Sequence, residues 1–155
     1  MQTLESLLRE ARVFRELADD QLALIAGCGS NVHLEEDAVL FREGDTADVF
    51  YLIRDGVVAL ETYAPARGAI TIETLEQGEV VGWSWLFPPY RWHFDARALT
   101  PIRATVFDGA CLRNKCDADP VLGYQLMSRF AQVLIDRLQW TRLRLLDVYG
   151  DDRSR

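Results

Sequence analysis

Gly78-Glu79-Val80-Val81-Gly82-Trp83-Ser84-Trp85-Leu86-Phe87-Pro88-Pro89-Tyr90-Arg91-Trp92-His93-Phe94-Asp95-Ala96-Arg97-Ala98 is the stretch on which the reading of this chain turns. Its glycines fall where a backbone must come close to something. A helix-sized segment follows Gly82, a Pro-Pro pair breaks it, and strand-like sequence resumes and continues to Phe107. Three of the four tryptophans lie here. A domain this small gathers so much aromatic surface for a pocket or an interface. The expectation is the lid and wall of a small-molecule pocket in a β-barrel.

Working outward, short strand-like runs recur with turn residues between them: 31–34, 38–41, 48–54, 57–63, 70–75, 80–81, 91–98 and 102–107. Asp55-Gly56 reads as a tight hairpin, and Glu43-Gly44-Asp45 and Gln77-Gly78-Glu79 as further turns. Many short strands at this spacing indicate an eight-stranded barrel or jelly roll. Leu4, Leu7, Leu8 and Ala11 predict a helix over residues 2–12. Asp19 or Asp20 is placed to cap a second helix through Ala26, which Gly27 to Gly29 stop. After the barrel a short helical piece runs from Asp108 to Cys116. Asp119-Pro120 then reads as a cap followed by proline at the first helical position. The helix it opens extends to about Tyr149, with Gly150 ending it. The chain thus divides into residues 1–119 (helices plus barrel), 120–150 (long helix) and 151–155 (tail).

Along the long helix, Met127, Ala131, Leu134, Leu138, Thr141, Leu145 and Val148 fall at alternating spacings of four and three, a heptad seam. Leu126, Phe130, Val133 and Trp140 make a second apolar face. A helix apolar on two sides exposes one of them in a monomer, so the expectation is a homodimer. The alternative is one wide face that only covers the barrel.

Bulk properties bound the function. The chain has 155 residues, 49% of them apolar, which is one domain with a real core. No apolar run approaches the roughly 18 residues of a membrane span. The N-terminus lacks the layout of a secretion signal, so the expected location is cytoplasmic. A net charge of −7, with Lys115 the single lysine, argues against nucleic-acid binding through bulk electrostatics. Cys28, Cys111 and Cys116 have no metal-like spacing and read as reduced thiols. Glu35-Glu36-Asp37 and Glu43-Gly44-Asp45 read as solvated turns. No zinc pattern, Walker loop, dinucleotide fingerprint or nucleophile elbow is present. No catalytic residue, metal site or enzymatic activity is expected.

The segments Phe41-Arg42-Glu43-Gly44-Asp45 through Tyr51-Leu52-Ile53-Arg54-Asp55-Gly56, Gly78-Glu79 with Gly82, Arg97-Ala98 and Arg137-Leu138-Gln139-Trp140-Thr141 together resemble the cyclic-nucleotide-binding domain superfamily. That superfamily includes the catabolite activator protein and its relatives. The resemblance implies a mainly β fold with flanking α: an eight-stranded jelly-roll barrel, N-terminal helices and a long C-terminal dimer helix. It also implies a sensor or effector domain acting in signal transduction. In the superfamily a Gly-Glu pair, a short helix and an Arg-Ser or Arg-Thr pair bind the ligand. The glutamate takes the ribose hydroxyl; the arginine and helix-start N–H groups take the cyclic phosphate.

On this chain the glycine is Gly82, the glutamate position is Trp83, the arginine position is Trp92 and the hydroxyl position is His93. Both ligand-reading side chains are replaced by indoles, which carry one donor and no charge. The implied function is a non-catalytic regulatory domain that does not bind cAMP or cGMP in the usual way. Arg91 substitutes for the lost arginine if the loop shifts register. Gly82, Trp83, Ser84, Trp85, Arg91, Trp92, His93 and Thr141 are the candidate ligand-binding residues. Thr141 reads equally as a hydroxyl offered to a base or a small seam residue.

Two readings of the tryptophans stay open. In one they wall a pocket for an apolar or aromatic effector. In the other they fill the former pocket, and the domain is an accessory or docking subunit whose contact is Phe87 to Trp92, with a partner protein and no small ligand. A haem sensor, liganded by His93, His33 or the cysteines, is a third reading; the expectation is no cofactor. Relatives carry a helix-turn-helix domain after the dimer helix, and the residues after Gly150 are too few for one. DNA binding by this chain alone is therefore not expected.

Overall fold

The structure, a computed structural model, describes residues 3–153, with side chains to Asp147. Helix α1 (Leu4–Glu10) is capped by Thr3, whose hydroxyl accepts from the Ser6 N–H. A 3₁₀ turn (Arg12–Phe14) buries Val13 and Phe14. Helix α2 (Asp19–Ala26) begins one residue before the expected caps. Ala18 stands at the cap, its N–H donating to the Gln21 side chain, and the two aspartates fill the first turn.

Eight strands follow: β1 (Gly29–Leu34), β2 (Val39–Phe41), β3 (Val49–Asp55), β4 (Val58–Ala64), β5 (Gly68–Leu75), β6 (Val80–Val81), β7 (Asp95–Ala98) and β8 (Ile102–Asp108). They form two antiparallel four-stranded sheets, ordered β1-β8-β3-β6 and β2-β7-β4-β5. Asp55-Gly56 does not close a hairpin: β3 and β4 lie in different sheets, so this turn carries the chain from one sheet to the other. The turn needs glycine. Gly56 has φ of 106°, and a Cβ there would sit 2.5 Å from the Pro101 carbonyl oxygen.

Helix α3 (Gly109–Ala118) is capped by Asp108, and α4 (Pro120–Arg153) by Asp119, whose carboxylate accepts from the Leu122 N–H at 3.2 Å. Gly150 does not end α4. A mid-helix glycine costs about 1 kcal/mol but stops a helix only where it turns left-handed.

Two cores result. One joins the helices to the first sheet through Leu8, Phe14, Ile25, Phe50, Trp85, Phe107, Leu112, Leu126 and Phe130. The other lies between the sheets, with Phe41, Ile53, Leu60, Leu75, Val81, Trp92 and Ile102. The cysteines also depart from expectation. Cys28 and Cys111, 83 residues apart, form a disulfide between the α2–β1 junction and α3, and Cys116 is free. Folding brings together two positions whose spacing carries no sign of pairing.

Candidate functional site

Gly82 ends β6 with φ of 97° and is fully enclosed. A Cβ at this position would meet the Trp92 ring at 2.6 Å, so glycine is required twice, by conformation and by space. Opposite it, the Trp92 indole lies flat on Phe41, with ring centroids 3.8 Å apart and planes 9° from parallel. Trp92 is 4% exposed. Its backbone is clamped to the neighbouring turn: its N–H donates to the Asp45 carbonyl at 3.0 Å, and its carbonyl accepts from the Gly44 N–H at 2.8 Å.

What remains of the cavity is about 20 Å³, lined by Phe41, Gly82, Trp83, Ser84, Trp92, His93 and Phe94. That is room for one water; ligand pockets run to about 300 Å³ and more. Of the candidate residues, Gly82, Trp83, Ser84, Trp92 and His93 do meet here.

Trp85, Arg91 and Thr141 do not. Trp85 is carried by the 3₁₀ turn Ser84–Leu86 into the other core, stacked on Phe50 at 4.6 Å and edge-on to Phe130 at 5.5 Å. Its indole N–H is buried without a partner. Arg91 is exposed and donates to the Gly44 carbonyl and the Thr46 hydroxyl, both at 3.3 Å. Arg91 and His93 are both exposed; the strand expected over 91–98 begins only at Asp95, and residues 91–94 run as a loop with one isolated bridge from Arg91 to Thr46. Thr141 is exposed on α4, and its hydroxyl donates to the Arg137 carbonyl at 2.9 Å.

Three arginines to which the sequence reading gave no role in the site organise the surroundings. Arg137, from α4, donates to the Val80 carbonyl at 2.7 Å and lies over the Trp83 ring, 4.9 Å from its centroid. Glu79 and Glu73 stand 3.9 and 4.0 Å from it. Burial lowers the pKa of Arg137 and the two carboxylates oppose that shift; burial also pushes the Glu79 carboxyl up. Trp83 is thus tied to α4 by a cation over its face. Arg113, from α3, donates to the Trp85 carbonyl and stacks on Tyr90 at 4.3 Å. Arg97 forks onto Glu61 at 2.9 and 3.1 Å, and this hydrogen bonding holds the Glu61 carboxyl below its usual range. A signal for Arg137 was present: it continues the barrel-facing 126–130–133 series by one further step of four.

The rest of α4 presents a different surface. Leu122, Leu126 and Phe130 are buried on the barrel. Of the seam residues, Leu134 is half-buried, Met127, Thr141, Leu138 and Leu145 are exposed, and the Val148 side chain lies outside the described residues. Ile135, Leu143 and Leu146 are also exposed, and so is Trp140, which the sequence reading grouped on one face with the buried Leu126 and Phe130.

An antiparallel two-sheet jelly roll, a short-helix cassette after Gly82 and a long C-terminal helix define an effector domain of the cyclic-nucleotide-binding type. The comparisons bear this out. Residues 31–119 match the cyclic nucleotide-binding domain model, and the chain belongs to that family. A candidate cyclic nucleotide-binding protein of Geobacter metallireducens is 32% identical, with a TM-score of 0.80 over 89% of this chain and 99% of that one. The N-terminal domain of a Streptomyces coelicolor transcriptional regulator is 26% identical, with a TM-score of 0.70 over 86% of this chain and 93% of that one. A CRP-like cAMP-activated global transcriptional regulator of Mycobacterium tuberculosis is 24% identical over 149 residues. That match takes in 96% of this chain but 65% of the regulator's length. Among the described residues no helix is long and apolar enough to cross a membrane, and no group of three His, Cys, Asp or Glu is placed to hold a metal.

Proposed function

We propose that this chain is a non-catalytic, cytoplasmic regulatory domain in which side chains of its own stand where a cyclic nucleotide binds in relatives. The observation that carries this reading is Trp92 stacked on Phe41 over Gly82, leaving about 20 Å³. A buried cyclic phosphate would need a charge-assisted partner, worth about 1.5–3 kcal/mol, and the side chain at that position is an indole. Arg137 over Trp83 fastens α4 to the cassette without a ligand. The output is then protein contact rather than ligand occupancy. The exposed apolar residues of α4 favour a homodimer along the Met127–Leu134–Leu138–Leu145 seam. The accessory-subunit reading shares this basis: an intramolecularly filled site leaves regulation to whichever protein docks. With His33 and His93 both exposed and two of three cysteines bonded to each other, the reading includes no haem.

Isothermal calorimetry with cAMP and cGMP tests it. The expected result is no binding heat up to about 1 mM ligand. The double variant Trp83→Glu/Trp92→Arg, which restores the family's readers, is expected to gain cAMP binding. Micromolar cAMP affinity in the unmodified protein, abolished by Arg91→Ala, would refute the reading.

A further inference from the structure

The Cys28–Cys111 bridge sits at a mechanical junction. Helix α3 is a wedge between the N-terminal helices and α4. On one side, Cys111 in its first turn bonds Cys28, and Lys115 donates to the Leu24 carbonyl of α2 at 2.7 Å. On the other side, Cys116 packs on α4 so closely that a Cβ at Gly123 would lie 3.3 Å from the Cys116 Cβ. Arg113, between them, holds the Trp85 carbonyl of the cassette turn. Whatever fastens or frees α3 therefore acts on the cassette and on the base of α4 together.

We propose that Cys28 and Cys111 are a reversible dithiol–disulfide site. A low-molecular-weight disulfide of the glutathione class would set through it how tightly α3 is attached to the N-terminal helices. The chemistry is thiol–disulfide exchange. The Cys111 thiolate attacks glutathione disulfide and one glutathione thiolate leaves. The Cys28 sulfur then attacks the Cys111 sulfur and the second glutathione leaves. Two protein thiols are oxidised to one disulfide and one glutathione disulfide is reduced to two thiols, so atoms and electrons balance.

The burial pattern suits this order. Cys111 is partly exposed and open to attack, whereas Cys28 is 8% exposed and enclosed. The Cα atoms are 5.8 Å apart, within the span a disulfide bridges. Cys116 is set apart from the reaction: it faces α4, and burial together with Asp117 and Asp119 pushes its thiol pKa up. Closing a loop across 83 residues constrains the unfolded chain enough to raise Tm by on the order of 10 °C. The bearing of this site on regulation rests on the function proposed above; the thiol chemistry does not, and nucleotide calorimetry and thiol counting fail independently.

The test is equilibration of the full chain in glutathione buffers of varied reduced-to-oxidised ratio, followed by acid quench, denaturing alkylation and mass measurement. The expected result is three alkylated cysteines under reducing conditions and one under oxidising conditions, reversibly. The bridge should map to Cys28–Cys111, and Cys116→Ser should keep the transition. Hydrogen exchange in residues 109–126 should be roughly tenfold faster in the reduced form, and Cys111→Ser should show the reduced pattern at every ratio. Three free thiols at all ratios would overturn the proposal. So would a bridge that excess reduced glutathione never opens in the folded protein, or exchange rates that do not differ between the two forms.

Discussion

Replacing Trp92 by alanine removes the side chain on which the filled site depends. The indole is 4% exposed, lies flat on Phe41 at 3.8 Å, and its outer edge occupies the place a Cβ at Gly82 would need. Truncation of a buried tryptophan costs about 3–5 kcal/mol, because transfer energy is lost and a cavity remains. Loss of the stacked pair adds about 0.5–1.5 kcal/mol. Some collapse of the site offsets part of this, so the expected loss is about 4 kcal/mol. For a domain of this size that lowers Tm by roughly 8–16 °C. Urea unfolding followed by far-UV circular dichroism measures it, since Trp92 itself contributes to fluorescence. The cavity so made is apolar, and such cavities stay dry and accept aromatic guests. Indole at about ten times its dissociation constant should therefore restore about 1.4 kcal/mol in Trp92→Ala and nothing in the parent. A loss under about 1 kcal/mol would refute the reasoning, for it would mean that the indole does not fill the site.

Arg137→Ala should loosen α4 from the barrel, since it removes the Val80 bond and the cation over Trp83 and leaves Glu73 and Glu79 without their counter-charge; a loss of roughly 2 kcal/mol, read as about 30-fold faster hydrogen exchange in residues 130–145, is expected, and unchanged exchange there would count against the clamp. Leu138→Glu with Leu145→Glu should leave the fold intact by circular dichroism but convert a dimer to a monomer in sedimentation at tens of micromolar; a parent that is already monomeric removes the seam. Glu61 accepts from Arg97 and its carboxyl is held below the usual value of 4.5, so its contribution to stability is complete above that pH and is lost as pH falls through the lowered value. Glu61→Gln should flatten the fall of the urea midpoint on acidification below about pH 5, and parallel slopes for the two proteins would remove that assignment.

The architecture was legible from one dimension because its signals are local. Turn glycines, strand-length apolar runs and the Asp119-Pro120 helix start each act over a few residues; eight strands and the helix start at Pro120 appear, though the strand expected over 91–98 begins at Asp95 and Gly150 does not end α4. The reading of Trp83 and Trp92 as standing at the family's glutamate and arginine positions likewise came from counting from Gly82 and Arg97-Ala98.

Other features depended on contacts between distant segments, which no spacing records. That Trp85 belongs to one core and Trp92 to another was decided by how the two sheets and α4 close around them. The Asp55-Gly56 turn has a hairpin's sequence, yet it changes sheets because β3 finds its partners in β6 and β8. Cys28 meets Cys111, and Arg137 meets Trp83, across 83 and 54 positions only when the chain has folded. Whether the tryptophans wall a pocket or plug it is a matter of volume and orientation that no spacing records: Trp92 stacked on Phe41 against Gly82 leaves about 20 Å³ there, while Trp85 lies in the other core.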